Sequence, residues 1–259
     1  MNEYEIDVCH RHTIYDSDED ESSEPLGNND LSFRPPNVEP PKGGTLVFAL
    51  GRISSVFVRT YFEIESAPVF SVATNDSRRA LKGHHFARGE ADTPVSSVFS
   101  SSATVLVCLH EDELNADHCN TWCEGILTAL RPEQVLVLQC LPLHEHVDPP
   151  ASASCFLRSL HTSSWRQAPL ATFLEAPNII KGEAAAILTQ CEMNELPAAL
   201  IVLYGSPSQS GLESVNALHP LLSNVLIRDA VRKMSPSKAA PIIKALLRKP
   251  NEDFSHLYM

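Results

Sequence analysis

Clustered basic residues are scarce in this sequence: 20 Lys and Arg stand against 32 Asp and Glu. Phosphate binding needs lysines and arginines gathered into a patch. The shortage argues against nucleic acid or an anionic membrane as the main partner. No apolar run approaches the roughly 20 residues that cross a bilayer. The opening, Met1-Asn-Glu-Tyr-Glu-Ile-Asp7, has none of the apolar stretch of a secretory signal. Glycine offers no phosphate loop. Gly43-Gly44 precedes an apolar run rather than following one, and Gly205–Gly211 reads Gly-Ser-Pro-Ser-Gln-Ser-Gly, without nucleophile-elbow spacing. No repeat of fixed period is present.

What charge there is lies at one end. Of the net -12, residues 1–30 hold ten acids and one base, or -9, which leaves -3 for the rest. The run Asp16-Ser-Asp-Glu-Asp-Glu-Ser-Ser-Glu24 and prolines 25, 35, 36, 40 and 41 have little to set against the entropy of ordering the backbone. Residues 1–43 are expected to be a disordered acidic tail. Ser17, Ser22 and Ser23 beside these carboxylates suit an acid-directed kinase.

The seven cysteines are odd in number. Cys108 and Cys140 lie inside apolar runs, as small buried hydrophobes do. Together with the missing signal, this leads to the expectation of a reducing compartment: cytoplasmic, with endoplasmic-reticulum-associated or nuclear placement as further options.

From Thr45 the pattern becomes globular. Short apolar runs at Thr45–Leu50, Pro68–Ala73, Thr104–His110, Gln134–Leu141 and Ala198–Tyr204 predict strands. Helical spacing covers Ile53–Phe62, Ala116–Leu130, Gly182–Glu195, Glu213–Leu222 and Ser237–Arg248, with Pro241 expected in a first turn. Residues 74–94 read as a loop and Cys155–Leu160 as a short helical piece. Continuous apolar strands separated by helices imply an α/β domain over 44–249, its central sheet mostly parallel and covered on both faces.

Catalytic chemistry is thin. His118, Cys119 and Cys123, with His144 and His146 about twenty residues on, match no common zinc spacing; no metal or cofactor is expected. His84-His85 sits in a polar loop. Ser206, Ser208, His110 and His144 are the obvious candidates for an enzyme of phosphorylase or hydrolase type, and no local motif couples them. A general adaptor acting through the acidic segment is the other alternative.

Residues 250–259 are expected to be a flexible tail after the helix-breaking Pro250. They end Leu257-Tyr258-Met259. An apolar side chain, a phenol ring and a terminal carboxylate make a peptide ligand for a groove with a lysine or backbone N–H groups at its end. A random terminus matches hydrophobic-Tyr-any in about 1% of chains, so the triplet gains its weight from context.

That context is a resemblance. Phe173-Leu-Glu-Ala-Pro-Asn-Ile-Ile180, Ala184-Ala-Ala-Ile-Leu-Thr-Gln-Cys191, Leu196-Pro-Ala-Ala-Leu-Ile-Val-Leu-Tyr204 and the closing Leu-Tyr-Met resemble the proteasome assembly chaperone 1 family. The resemblance is specific over about 170–259 and rests on element order over 45–165. It implies a three-layer α/β/α sandwich, phosphorylase-like but without that activity. It also implies a heterodimer with proteasome assembly chaperone 2 that promotes formation of the α-subunit ring of the 20S proteasome. Leu257, Tyr258 and the Met259 carboxylate would then dock between neighbouring α subunits.

Overall fold

The computed structural model describes residues 31–34, 44–74, 94–150, 153–205 and 211–248. Its centre is built by the apolar runs. Strand β2 (Thr45–Leu50) is buried at every position and pairs in parallel with β5 (Val105–His110) on one side and β6 (Gln134–Pro142) on the other. β8 (Ala198–Gly205), equally buried, runs parallel beside β6. A strand with apolar residues at consecutive positions can bury both faces only in the middle of a covered sheet.

Alternation along these strands divides the core in two. Leu46, Phe48 and Leu50 join one apolar cluster, and Val47 and Ala49 the other. The first also takes Trp122, Cys123 and Ile126 of α2 (Ala116–Leu130) and Ala184, Ile187 and Cys191 of α3 (Gly182–Met193). The second takes Val56, Phe57 and Tyr61 of α1 (Gly51–Tyr61), Val215 of α4 (Gly211–Ala217), and Ala239 and Ile243 of α5 (Pro236–Leu247). Each large side chain so buried contributes about 1.5–3 kcal/mol relative to exposure.

The remaining strands run antiparallel at the margins. β4 (Pro94–Ser102) pairs with β5, β3 (Phe70–Thr74) with β4, and β1 (Leu31–Arg34) with β3; β7 (Cys155–His161) closes the far edge against β8. The order is β1-β3-β4-β5-β2-β6-β8-β7. Among the described strands, parallel ladders join only β5, β2, β6 and β8.

Several expectations are corrected. Leu31–Arg34 is a strand, although it falls inside the segment read as a disordered tail; Phe33 seats it on α2, where a Cβ on Gly125 would lie 2.3 Å from the Phe33 ring. Cys155–His161 is an edge strand rather than a helical piece, because β8 offers it a full ladder of partners. The helix expected over Glu213–Leu222 divides into α4 and a 3₁₀ turn at His219–Ser223, which carries a proline in its first turn. In α5 the first-turn proline is Pro236, and Pro241 lies inside the helix.

Expectations for 1–30, 35–43, 75–93, 206–210 and 249–259 fall outside the described residues. Among them are the acidic run, Cys9, His84-His85, Ser206, Ser208 and the terminal triplet.

Candidate functional site

Leu257, Tyr258 and Met259 lie outside the described residues, but the root of their segment does not. α5 ends at Leu247, where Arg52 Nη2 donates to the carbonyl oxygens of Leu247 (2.6 Å) and Leu246 (3.4 Å). These are the carbonyls that a helix C-terminus leaves without intrahelical partners, and a guanidinium suits both their geometry and the dipole. Gly211 leaves room for Leu247: a Cβ there would meet its Cδ1 at 2.8 Å. Arg52 sits in the first turn of α1, which starts directly after β2; Gly51, with φ of 75°, permits that abrupt reversal. The end of α5 therefore lies at the end of the sheet where the parallel strands finish.

A cleft of about 430 Å³ opens at that same end. Its walls include Leu50, Gly51, His110, Leu114, Gln139, Leu141, Pro142 and the start of α3 at Lys181-Gly182-Glu183. The crevice beyond the carboxyl ends of parallel strands is the usual ligand position in α/β sheets. Five carboxylates line it, from Glu111, Asp112, Glu113, Glu145 and Glu183, against the single ammonium of Lys181. That field repels phosphate and weighs against phosphorylase chemistry.

The sequence candidate His110 is here, hydrogen-bonded to Ser96, which the sequence did not single out. Nδ1 lies 2.8 Å from Ser96 Oγ and 3.2 Å from the Val95 carbonyl oxygen, while Trp122 Nε1 donates to Ser96 Oγ at 2.8 Å. Nε2 stands 3.6 Å from Glu183 Oε1. Ser, His and an acid in a row invite a hydrolase reading. Ser96, however, is buried and is not part of the cleft lining, so its hydroxyl offers no nucleophile to a substrate there. Glu183 accepts from the Leu114 N–H at 2.7 Å. Burial pushes its carboxyl up, but the His110 imidazole and the Leu114 N–H outweigh this and hold it below the usual range.

The other sequence candidates are dispersed. Cys119 and Cys123 are buried under the sheet beside Trp122; burial pushes the Cys123 thiol well up, and that of its neighbour Cys191 to about 12. His144 is exposed in a short 3₁₀ turn, Leu143–Glu145, and His146 is buried between Phe156 (5.1 Å between ring centroids) and Tyr204 (4.9 Å). Among the described residues, no three His, Cys, Asp or Glu side chains gather closely enough to hold a metal ion.

Sequence reasoning missed the role of the Leu174-Glu-Ala-Pro-Asn178 stretch, which braces the β7 edge. Arg158 donates to Glu175 through Nε (2.9 Å to Oε2) and Nη2 (3.3 Å to Oε1), and its guanidinium lies 4.6 Å over the Phe156 ring. Asn178 accepts from the Val147 N–H at 2.8 Å and donates to the Glu175 carbonyl at 2.8 Å. Phe173, Val147 and Ile179 stand exposed around the brace, Ile179 at 72%. The motif was visible in the sequence; its partners, Arg158 and Val147, are 17 and 31 residues away and carry no local signal.

The architecture is that of proteasome-assembly-chaperone homologues. The Pyrococcus furiosus protein PbaA, described as an archaeal homolog of proteasome-assembly chaperone, aligns over 83% of this chain and 87% of its own with a TM-score of 0.57 at 10% identity. That likeness concerns fold alone. Proteasome assembly chaperone 1 of Nematostella vectensis is 25% identical over 186 residues, and that of Xenopus laevis 31% over 177. These alignments take in 69% and 64% of this chain and span 72% and 59% of the relatives' lengths. The family described as proteasome assembly chaperone 4 (PAC1) matches residues 37–259, and the chain belongs to it.

Proposed function

We propose that this protein is a non-catalytic chaperone for assembly of the 20S proteasome. It acts as a heterodimer with proteasome assembly chaperone 2, promotes formation of the α-subunit ring, and works in the cytoplasm. The observation that carries the reading is the family match, which covers residues 37–259. The fold supports it as a helix-covered sheet with two apolar clusters. The acid-lined cleft weighs against the phosphate chemistry of the phosphorylase alternative.

Leu257 and Tyr258 enter a groove between neighbouring α subunits, and the terminal carboxylate of Met259 meets a lysine or backbone N–H groups at its end. A tail of this size binds weakly alone. Carried on a dimer with a second contact, it gains from effective concentration.

The test is affinity purification of the full chain beside a chain lacking Leu257–Met259, beside Tyr258→Ala, and beside a chain extended by a tag after Met259. All four should share one thermal midpoint, and only the first should retain α subunits. Equal recovery by the Tyr258→Ala protein would remove the tail from the mechanism. Absence of α subunits from every sample would remove the function itself.

A further inference from the structure

Bases are few in this chain, yet six of its 20 fall between residues 228 and 248: Arg228, Arg232, Lys233, Lys238, Lys244 and Arg248. The same stretch holds one acid, Asp229, so it carries +5 in a chain whose net charge is -12. α5 itself, Pro236–Leu247, has no acid at all. Its apolar side packs into the core, with Ala239 and Ile243 buried in the cluster that α1 and α4 share. Helical spacing therefore turns the lysines outward. Arg228, Lys233, Lys238, Lys244 and Arg248 are exposed, and Arg232 is half-buried. None of the six pairs with a carboxylate of the described residues. Ile242, at 38% exposure, and Leu246, at 37%, lie among them. Glu63, whose N–H donates to the Ala230 carbonyl oxygen, stands with Asp229 at the foot of the patch and does not balance six bases.

The complement lies in the chain itself. Asp16, Asp18, Glu19, Asp20, Glu21 and Glu24 form a run with no base in it, flanked by Ile14-Tyr15 and by Leu26. Six carboxylates face a charge of +5, and apolar residues on both sides of the run match Ile242 and Leu246.

The length of the tether permits the contact. β1 pairs antiparallel with β3, β3 with β4 and β4 with β5, so Leu31 lies at the end of the sheet where β5 and β2 finish. α5 ends there too, held by Arg52. Four strand spacings, about 19 Å, separate β1 from β2, and the helix layer adds about 10 Å at right angles. Glu24 precedes Leu31 by seven residues and Asp16 by fifteen, spans of at most about 25 Å and about 54 Å. The run can reach α5 unstretched, at an effective concentration on the order of millimolar.

We propose that the basic face of α5 is a docking surface for an acidic peptide, and that residues 16–24 of the same chain are its occupant in the free protein. Each exposed ion pair contributes little, so the contact is a sum over several and yields to salt. Any acidic surface of a partner must then displace the run from α5. Nucleic acid and anionic membranes are poorer occupants, because the net charge of the chain repels them. The inference rests on charge and chain length, and it stands whether or not Leu257–Met259 docks.

Amide NMR spectra of the full chain test it. The comparison is a full-length variant with a neutral run: Asp16→Asn, Asp18→Asn, Glu19→Gln, Asp20→Asn, Glu21→Gln and Glu24→Gln. At about 0.05 M salt the amides of residues 228–248 should differ between the two proteins, and at about 0.5 M salt the difference should shrink at least about fivefold. Lys233→Glu, Lys238→Glu, Lys244→Glu and Arg248→Glu together change exposed side chains alone and should remove the difference. Lysine at all six acidic positions of the run should restore it in that quadruple variant, a rescue that a misfolded protein would not show.

Identical spectra over 228–248, or differences confined to another face, would overturn the proposal. So would differences that survive high salt, or that grow with protein concentration and so make a second copy the occupant. Binding of duplex DNA or phosphatidylserine vesicles to the full chain through the same lysines would overturn it as well, because an occupied face leaves them no room.

Discussion

Glu175 keeps its charge because Arg158 holds both of its oxygens. That grip, with a bond from its own backbone N–H, lowers the carboxyl to about 2 from an ordinary 4.5. A depressed folded-state value means that the unfolded chain takes up the proton first. The contribution of this pair to stability is complete above pH 4.5 and is lost as pH falls from there toward 2. A carboxyl-carbon NMR titration should show Glu175 as the late titrator, and Arg158→Ala should return it toward the usual glutamate range. Ser96 makes a different case. Its Oγ accepts the indole N–H of Trp122 at 2.8 Å in a fully buried setting. Ser96→Ala strands that donor and should cost about 1–3 kcal/mol in urea unfolding. Ser96→Thr, which retains an oxygen, should recover part of it.

At the scale of elements, what could be read from the sequence follows burial. β2, β5, β6 and β8 stand out as apolar runs because both of their faces are covered. β4 does not: Pro94-Val-Ser-Ser-Val-Phe-Ser-Ser-Ser102 buries Val95 and Val98 among serines, and its strand character comes from backbone pairing with β3 and β5. β7 hides for the same reason, as an edge strand with mostly half-buried side chains. β1 is four residues followed closely by prolines, and it is held by its ladder to β3 and by Phe33 in the notch over Gly125. The cleft was half legible. His110 stood out at the end of an apolar run, but Ser96 and Glu183 meet it only through strand register and the placing of α3. Gly125→Ala puts a methyl group into the Phe33 ring and should cost about 1–3 kcal/mol locally. Hydrogen exchange should rise at Leu31–Arg34 and Phe70–Thr74, with the protection of β2 and β6 unchanged.

Across the whole molecule, charge and attachment are separated. Most of the net charge sits in residues 1–30, while β1 and β7 mark opposite edges of one sheet. Salt should therefore alter any partner contact made by the acidic segment far more than one made through the apolar residues near Phe173 and Ile179. Comparing pull-down yield at about 0.05 and 0.5 M salt for the full chain and a chain lacking residues 1–30 checks this, because the difference between the two should vanish at the higher salt. The Arg52 clamp on α5 adds a metric constraint. Tyr258 follows Arg248 by ten residues, and ten residues span at most about 33–36 Å. Arg52 fixes one end of that length, so the clamp turns the terminal segment into a ruler. Any arrangement with a partner that seats Tyr258 farther than this from Arg248 is geometrically forbidden. Shortening the interval should abolish capture at a sharp residue count rather than by gradual decline.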